Sequence, residues 1–279
     1  MKPILVFQTD FTYLEGAVCA MYGVVKSVDR ELEIIDGTHE LPQFDIWSAS
    51  YRLNQSMRFW PKGTIFVSVV DPGVGTSRRA CVAKTSDGYY VVTPDNGALT
   101  HIKAFSGIDE VREIDESINR LRHKGTESVN IFHGRDLFGY CAARLASGII
   151  TYEQVGKAYP VGEIVTLKLR EPELIEHGIA GIFEIDDPNF GNLWTNIPLK
   201  QFLPIFPYAS EPLVTVLNKG KTVFEKRVRF CRSYGEVEKG AVLLYNNELN
   251  RIAMAISQGS LVKKFNLGYG DDWEVRFTR

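Results

Sequence analysis

The stretch TIFVSVVDPGVGTSRR, residues 64–79, places a run of β-branched and aromatic side chains directly before a polar, glycine-bearing loop. Such a run is typical of a strand that is buried on both faces of a sheet, so Thr64 to Val70 is predicted to be a buried strand. The loop from Asp71 to Arg79 follows its carboxyl end. Ligands of open α/β sheets bind beyond the carboxyl ends of the strands, so this loop is a candidate site.

Strand-like and helix-like segments alternate on both sides of this stretch. Predicted strands cover residues 4–7, 32–35, 64–70 and 89–93, and predicted helices cover 16–28, 46–59, a short stretch from Ala98, and 138–147. This alternation predicts an α/β domain over residues 1–160, with helices on both faces of its sheet.

The second half of the chain has a different pattern. Leu213 to Leu217 and Thr222 to Phe230 flank an Asn-Lys-Gly-Lys turn, which is a hairpin signature. Further short strands are predicted at 241–245, 251–256 and 273–277, with little helix between them. The sequence therefore predicts a smaller antiparallel β-barrel domain over residues 161–279, joined through a linker at 159–165.

The bulk composition is that of a folded globular protein, with 44% hydrophobic and 24% charged residues and a net charge of −2. No basic block indicates a nucleic-acid or anionic-membrane partner, and no apolar run is long enough to span a bilayer. The first apolar run is too short for a signal peptide and is predicted to be a strand. Four widely separated cysteines favour free thiols in a reducing compartment, so a cytoplasmic location is expected.

Two polar segments at the ends of predicted strands carry chemistry, and each also has a purely structural interpretation. Asp10 follows the first strand, where a carboxylate accepts hydrogen bonds from a vicinal diol such as ribose, or instead caps a helix or turn. In the loop after Val70, two glycines would let a ligand approach the backbone closely, and Asp71 and Arg78 add an acidic and a basic side chain. It lacks the ending of a P-loop, and the alternative is a β-turn closed by an Asp–Arg pair.

His133 precedes a predicted helix in the segment Phe132 to Asp136. Histidine changes its charge near neutral pH and is a natural member of a site, although a lone histidine is more often structural. The polar loops 93–97 and 36–40 are similar, with turns and caps as their alternatives.

No metal site is expected. Asp36, His39, Asp71 and His133 are possible ligands, but they form none of the recognised spacings of metal-binding motifs.

In the second half, residues 186–196 concentrate carboxylate, aromatic and amide groups: Asp187, Phe190 and Asn192 lie within six positions. An amide can read the edge of an adenine while an aromatic ring stacks on its face. The alternative is an Asn/Gly loop between two strands.

Taken in order, these segments resemble the S-adenosyl-L-methionine (SAM) hydroxide adenosyltransferase family, relatives of the SAM-dependent fluorinases and chlorinases. The resemblance covers nearly the whole chain and is carried by these segments: Thr9-Asp10-Phe11, Thr38 to Pro42 with Phe44-Asp45-Ile46, Asp71 to Arg79, Pro94 to Gly97, Phe132 to Asp136, Phe190 to Asn192, and Thr195-Asn196.

The resemblance implies that SAM and water react to give adenosine and L-methionine, with no cofactor. A water held by Asp71, Arg78 and His133 would attack the ribose C5′ carbon, and methionine would leave as a neutral thioether. Whether Asp71 or His133 takes the proton stays open. The implied assembly is a homotrimer with sites between subunits, each formed by the α/β domain of one subunit and the barrel of the next.

The resemblance also implies a set of substrate contacts. Asp10 corresponds to the ribose-diol aspartate, Phe190 and Asn192 to the adenine contacts, and Asp187 to the acid that meets the methionine ammonium. Asn247 is assigned to the methionine carboxylate. Phe44 and Asn96 lie in matching motifs and are expected to contact the substrate.

Departures from the family pattern bear on the choice of nucleophile and on affinity. Asp71 and Gly134 stand where fluorinases carry a tyrosine and a halide-binding serine, which favours water as the nucleophile. Thr12 replaces the usual glycine, and Tyr22 replaces a common lysine. Asn246-Asn247 differs from the halogenases' serine–arginine pair. The competing hypotheses are a halogenase, a non-catalytic SAM or adenosine sensor, and a phosphate-handling enzyme that uses the glycine loop.

Overall fold

A computed structural model describes residues 2–122 and 130–279. The chain divides into two compact units, residues 1–167 and 168–279. Two backbone amides near the end of the first unit are bonded to it: Val165 N–H donates to Asp95 at 2.9 Å and Leu167 N–H to Thr100 at 2.8 Å.

The first unit is a mixed α/β domain. Its strands are β1 Leu5–Thr9, β2 Ile34–Thr38, β3 Ile65–Val69, β4 Ala80–Thr85, β5 Tyr90–Pro94, β6 Ile108–Glu113 and β7 Ala158–Tyr159. Its helices are α1 Ala17–Val28, α2 Ile46–Met57, α3 Thr100–Phe105, α4 Glu116–Asn119, a π-helix at Gly134–Gly139, α5 Tyr140–Ala146, and two 3₁₀ turns at Glu153–Val155 and Val161–Glu163.

The strands form one sheet in the order β2-β1-β3-β5-β4-β6-β7. The first four are parallel, whereas β4, β6 and β7 run antiparallel to their neighbours. In the parallel part, Thr9 pairs with Val69, so the loops after β1 and β3 start at the same edge of the sheet. This register brings the residues after Thr9 and after Val70 together.

Side chains of alternate strand residues enter separate cores on the two faces of this sheet. Leu5 and Phe7 pack with Met21 of α1 and with α5 residues in one core cluster. Val6 packs with Leu53 of α2 in another. Helices therefore cover both faces, as the alternating sequence pattern predicted.

The second unit is dominated by one barrel-like sheet. Its strands are β8 Glu173–Ile175, β9 Gly178–Asp187, β10 Asn192–Pro198, β11 Leu213–Asn218, β12 Lys221–Arg227, β13 Arg229–Phe230, β14 Val242–Asn246, β15 Arg251–Ile256 and β16 Trp273–Thr278. Short helices lie at α6 Leu199–Phe202 and α7 Leu261–Phe265, with a 3₁₀ turn at Tyr234–Glu236.

The strand order of this sheet is β12-β11-β16-β9-β10-β15-β14-β13, with β8 added beside β9. All pairs are antiparallel except β13–β14, which is parallel, so the expected antiparallel barrel is correct in outline only. The predicted hairpin is present as β11–β12. Its two turn residues, Lys219 and Gly220, have φ values of 49° and 76°, the left-handed pair that a tight hairpin requires.

Several elements of the first unit differ from the prediction, and β6, α4 and β7 lie where no element was predicted. The helix expected from Phe138 begins earlier, at Gly134, as a π-helix that runs into α5. Strand β4 directly follows the Asp71 to Arg79 loop and was not predicted. In the described part of the chain, no helix is long and apolar enough to cross a membrane.

Candidate active site

A pocket of about 340 Å³ lies at the edge of the sheet where β1 and β3 end. It is called the N-terminal pocket. Its lining comprises polar groups and aromatic rings: Asp10, Phe11, Glu15, Gln43, Phe44, Val69, Asp71, Val74, Ile131, Phe132, His133 and Gly134. The loops after β1, β2 and β3 and the segment that leads into the π-helix supply most of this lining.

Asp71, Arg78 and His133 form one hydrogen-bonded cluster at this pocket. The Arg78 guanidinium donates hydrogen bonds to the Asp71 carboxylate. Its Nε lies 2.9 and 3.1 Å from the two carboxylate oxygens, and its Nη2 donates to Oδ2. The same Nη2 lies 2.9 Å from His133 Nδ1. Only 10% of the Arg78 side chain and 6% of the Asp71 side chain are exposed, and Phe138 packs 5.2 Å from the guanidinium. Burial and the two-pronged contact make this pair rigid.

The contact with Arg78 fixes the tautomer of His133. A guanidinium has no acceptor, so Arg78 donates and Nδ1 must offer its lone pair. Burial, and then the positive charge of Arg78, hold the pKa of His133 below its usual value. Histidine is therefore neutral at neutral pH, with its proton on Nε2.

Asp10 lies two residues before the left-handed Thr12 and accepts a hydrogen bond from Phe44 N–H at 2.9 Å. Burial raises the pKa of Asp10, and hydrogen bonds from backbone amides oppose this shift. The Phe44 side chain is 68% exposed, with φ at 63°. The carboxylate is thus held from one side, and its remaining lone pairs are available to a ligand.

Asn96 is not among the residues that line the N-terminal pocket. Its amide donates to the carbonyl of Val70 at 2.9 Å and accepts from Ala98 N–H at 3.3 Å. It therefore stabilises the chain directly before Asp71. Its predicted contact with substrate stays a prediction.

The neighbours of these motif residues have structural partners. Arg79 donates to Asp95 at 3.2 Å and to Glu163 at 2.9 Å, and its guanidinium lies 4.1 Å from the ring of Tyr159. The Tyr159 hydroxyl also donates to Asp95 at 3.0 Å. Arg79 and Asp95 thus tie residues 159–165 to the sheet.

A second, larger pocket of about 900 Å³ lies in the second unit and is called the C-terminal pocket. Four residues predicted from the sequence line it: Asp187, Phe190, Asn192 and Asn247. Asn192 donates to the Asp187 carboxylate at 3.3 Å, and 64% of the Phe190 side chain is exposed. Asp187, Phe190 and Asn192, at and beside the β9–β10 turn, are therefore brought together with Asn247, which follows β14.

Asn247 carries an unsatisfied donor. Its Oδ1 accepts from the backbone amides of Leu249 and Arg251, both at 3.0 Å, and this pair of contacts fixes the orientation of the amide. Its Nδ2 is buried and has no hydrogen-bond partner. Leaving such a donor unpaired costs about 1–3 kcal/mol, so the site gains if a ligand oxygen reaches it. A ligand can do so only after the neighbouring chain shifts, because this atom is closed to solvent.

Three aromatic residues of the C-terminal pocket were missed from the sequence, namely Trp194, Tyr234 and Tyr245. Trp194 donates to the Tyr245 hydroxyl at 3.1 Å, and the rings of Tyr234 and Tyr245 lie 5.2 Å apart. Trp194 lies on β10 and Tyr245 on β14, positions typical of core packing, whereas Tyr234 begins a 3₁₀ turn. Lys239 is the single Lys or Arg in the described lining of this pocket.

Comparison with family models decides the family of this chain. The model of the SAM hydroxide adenosyltransferase N-terminal domain matches residues 5–156, and that of the C-terminal domain matches residues 180–274. The chain belongs to the SAM hydroxide adenosyltransferase family. The two matched ranges contain every residue that lines the N-terminal and the C-terminal pocket, respectively.

Individual relatives cover the chain from end to end. A protein named (R)-S-adenosyl-L-methionine hydrolase from Methanocaldococcus jannaschii is 30% identical over 98% of this chain and 95% of its own. A protein named fluorinase from Nocardia brasiliensis is 26% identical over 99% and 97%. An uncharacterized conserved protein from Thermotoga maritima, known from its crystal structure, is 32% identical in sequence and superposes with a TM-score of 0.86. The match covers 99% of this chain and 100% of that protein's chain. The family thus includes proteins named for two different reactions.

The SAM hydroxide adenosyltransferase motifs fall into two sets in the structure. Asp10, Phe44, Asp71 and His133 line the N-terminal pocket, with Arg78 bonded to two of them. The remaining predicted residues other than Asn96 line the C-terminal pocket. In residues 2–122 and 130–279, no group of three or more His, Cys, Asp or Glu side chains is arranged to hold a metal ion.

Proposed function

We propose that this protein hydrolyses SAM to adenosine and L-methionine. The observation that carries the proposal is the buried Asp71–Arg78–His133 cluster at the N-terminal pocket. The family supports the substrate, since curated relatives of nearly full length carry the name (R)-S-adenosyl-L-methionine hydrolase.

In the proposed reaction, a water oxygen forms a bond to ribose C5′ while the C5′–sulfur bond breaks. The bonding electrons go to sulfur, which leaves as the neutral thioether of methionine. A sulfonium is a good leaving group without protonation, so the protein's task is to desolvate and orient the nucleophile. The Arg78 charge stabilises the developing anionic oxygen.

The hydrogen-bond pattern supports Asp71 as the group that accepts the water proton. His133 Nδ1 accepts from Arg78, and Nε2 carries the ring proton, so neither nitrogen has a free lone pair. His133 would therefore orient the water by donating from Nε2. Asp71 keeps lone pairs beyond those used by Arg78, because a carboxylate has about four acceptor sites.

The other predicted residues would bind the substrate. Asp10 would accept hydrogen bonds from the ribose diol. In the C-terminal pocket, Phe190 and Asn192 would bind adenine, Asp187 the ammonium, and Asn247 the carboxylate. We include in the proposal a cytoplasmic location, catalysis without a cofactor, and a homotrimer whose sites combine the N-terminal pocket of one subunit with the C-terminal pocket of the next.

The experiment is chromatography of the purified protein incubated with SAM in halide-free buffer. Asp71→Ala and His133→Ala are measured beside His177→Ala, a control because the His177 side chain is 74% exposed and lines neither pocket. Equal amounts of adenosine and methionine from the unmodified protein and the control, but not from the two site variants, support the proposal.

Other outcomes favour other functions. A 5′-halo-adenosine that forms only when chloride or fluoride is added would indicate a halogenase. Tight SAM binding with no product would indicate a sensor, and Mg²⁺-dependent cleavage of a nucleoside triphosphate would indicate a phosphate-handling enzyme. Product formed equally by the site variants would overturn the role of the Asp71–Arg78–His133 cluster.

A further inference from the structure

His39 lies outside the N-terminal pocket, yet its ring is connected to the loop that forms one wall of it. The side chain is buried, with 1% exposed. Nδ1 lies 2.8 Å from the Thr9 hydroxyl, and Nε2 lies 2.8 Å from the hydroxyl of Tyr22 on α1. The Tyr22 hydroxyl in turn contacts Asp36.

One order of protons satisfies this whole chain of contacts. Thr9 Oγ1 accepts from Phe11 N–H at 3.1 Å, so its own proton is free to go to His39 Nδ1. His39 Nε2–H then donates to the oxygen of Tyr22, whose proton goes to the Asp36 carboxylate. This order needs a neutral histidine, and burial lowers the pKa of His39 accordingly, against the opposing charge of Asp36.

The backbone of His39 holds the same loop. Its carbonyl accepts from Thr12 N–H at 2.8 Å. Thr12 has φ at 56°, a left-handed conformation that is unfavourable for a β-branched residue. Such a conformation persists only where surrounding contacts enforce it. His39 contacts both ends of this loop, Thr9 by its ring and Thr12 by its carbonyl.

Two residues of the N-terminal pocket, Asp10 and Phe11, lie between these two attachment points. Asp10 receives Phe44 N–H, and the Phe11 ring fits closely against Gly134, where an added Cβ would lie 3.1 Å from Phe11 Cε2. A shift of the loop therefore moves both a ligand-facing carboxylate and a wall of the pocket.

We propose that His39 is a positioning residue, which acts through Thr9 and Thr12 to hold Asp10 and Phe11 in the conformation that binds the nucleoside part of the substrate. The inference rests on the proposed function for the identity of the ligand. Tyr22 takes part as the partner that fixes the tautomer of His39.

The experiment compares Thr9→Val, His39→Leu and His39→Asn with the unmodified protein. Thr9→Val keeps the shape and removes both the link to His39 and the acceptor of Phe11 N–H, so the comparison with His39→Leu, which leaves that acceptor in place, isolates the link. His39→Leu removes both ring nitrogens. His39→Asn places an amide oxygen near the position that Nδ1 occupies in His39, so it retains an acceptor for the Thr9 hydroxyl. Tyr13→Phe is the matched control, because it removes a hydroxyl that contacts Asp36 and keeps the ring, which lies 5.1 Å from the His39 ring. Circular dichroism and thermal melting confirm that each variant is folded.

The readouts are kcat and KM for SAM and the Kd of adenosine by calorimetry. Thr9→Val and His39→Leu are expected to raise both KM and Kd about tenfold or more, the ratio for loss of one hydrogen bond between the ligand and the Asp10 carboxylate, with a change in kcat of about threefold at most. His39→Asn should recover most of the affinity, and Tyr13→Phe should match the unmodified protein within about twofold.

The outcomes separate this inference from the proposed function. If SAM is cleaved but Thr9→Val and a folded His39→Leu keep KM and Kd within about twofold, His39 is structural only and the inference is overturned. If SAM is not cleaved, the proposed function fails, and the adenosine Kd values still decide the inference. If the unmodified protein neither cleaves SAM nor binds adenosine, both the proposed function and the inference are overturned.

Discussion

Replacement of Arg78 by lysine tests the cluster with the least disturbance to the fold. A lysine Nζ stands where the guanidinium carbon of Arg78 lies, about 1.3 Å short of Nη2. It can still pair with Asp71, so the cost of about 3–5 kcal/mol for a buried, unpaired carboxylate is avoided. It no longer reaches His133 Nδ1, which is 2.9 Å from Nη2. Loss of one hydrogen bond from a charged group costs about 1.5–3 kcal/mol, which predicts a fall in kcat of about 10- to 150-fold.

The assay is the rate of adenosine formation at saturating SAM, measured by chromatography. Arg79→Lys is the matched control, since the adjacent arginine contacts Asp95 and Glu163 and does not line either pocket. The control should lose stability and keep its kcat. A kcat for Arg78→Lys within about twofold of the unmodified protein, with the fold intact, would refute the view that the Arg78–His133 contact organises the nucleophile.

Three further predictions follow from the same structure. Burial and then the charge of Arg78 lower the pKa of His133, so the ring stays neutral as the pH falls to 6.5, the ordinary pKa of histidine. We therefore expect kcat/KM to stay constant down to pH 6.5 and to drop only below it. A pH profile whose acid limb begins above pH 6.5 would contradict this expectation. Asn247→Asp keeps the oxygen that accepts from the loop amides but replaces the unpaired amide donor by a second negatively charged oxygen. KM for SAM should therefore rise about tenfold or more in steady-state kinetics. An unchanged KM would show that Asn247 does not bind the methionine carboxylate. Asp95→Leu removes the acceptor of three donors, the Arg79 guanidinium, the Tyr159 hydroxyl and the Val165 amide. Urea unfolding should therefore show a free energy of unfolding lower by about 3–5 kcal/mol, with kcat at 25 °C unchanged. A decrease below about 1 kcal/mol would show that these contacts do not stabilise the fold.

The sequence predicted the strands whose own side chains demand burial. β1 and β3 are continuous runs of buried residues, and such a run can be recognised in the sequence without knowing which strands lie beside it. β4 contains small and polar residues, and it is a strand because β5 and β6 hydrogen-bond to both of its edges. The second predicted strand, 32–35, is found at Ile34–Thr38, because β1 pairs with Asp36 and Thr38 although Asp36 and Gly37 are residue types of low strand preference.

The site was predictable where its residues are close in sequence. Asp71 and Arg78 lie in one loop, and their pairing was among the interpretations of that loop. His133 lies 55 residues from Arg78, and only the resemblance to a family joined the two. Trp194 and Tyr245 could not be distinguished from core aromatics of a β-sheet, because their exposure to a pocket depends on how the strands curve. The π-helix was likewise invisible to helical periodicity, which does not count one extra residue in a turn.

The division of these residues between two compact units has an evolutionary consequence. The groups proposed to handle the nucleophile all come from residues 1–167, whereas those proposed to recognise adenine and the amino acid come from residues 168–279. Selection can therefore alter the attacking group by mutations in one half of a gene while the other half continues to bind the same substrate. A lineage built in this way diverges in chemistry before it diverges in recognition, which is the pattern expected of a family that contains proteins named hydrolase and fluorinase.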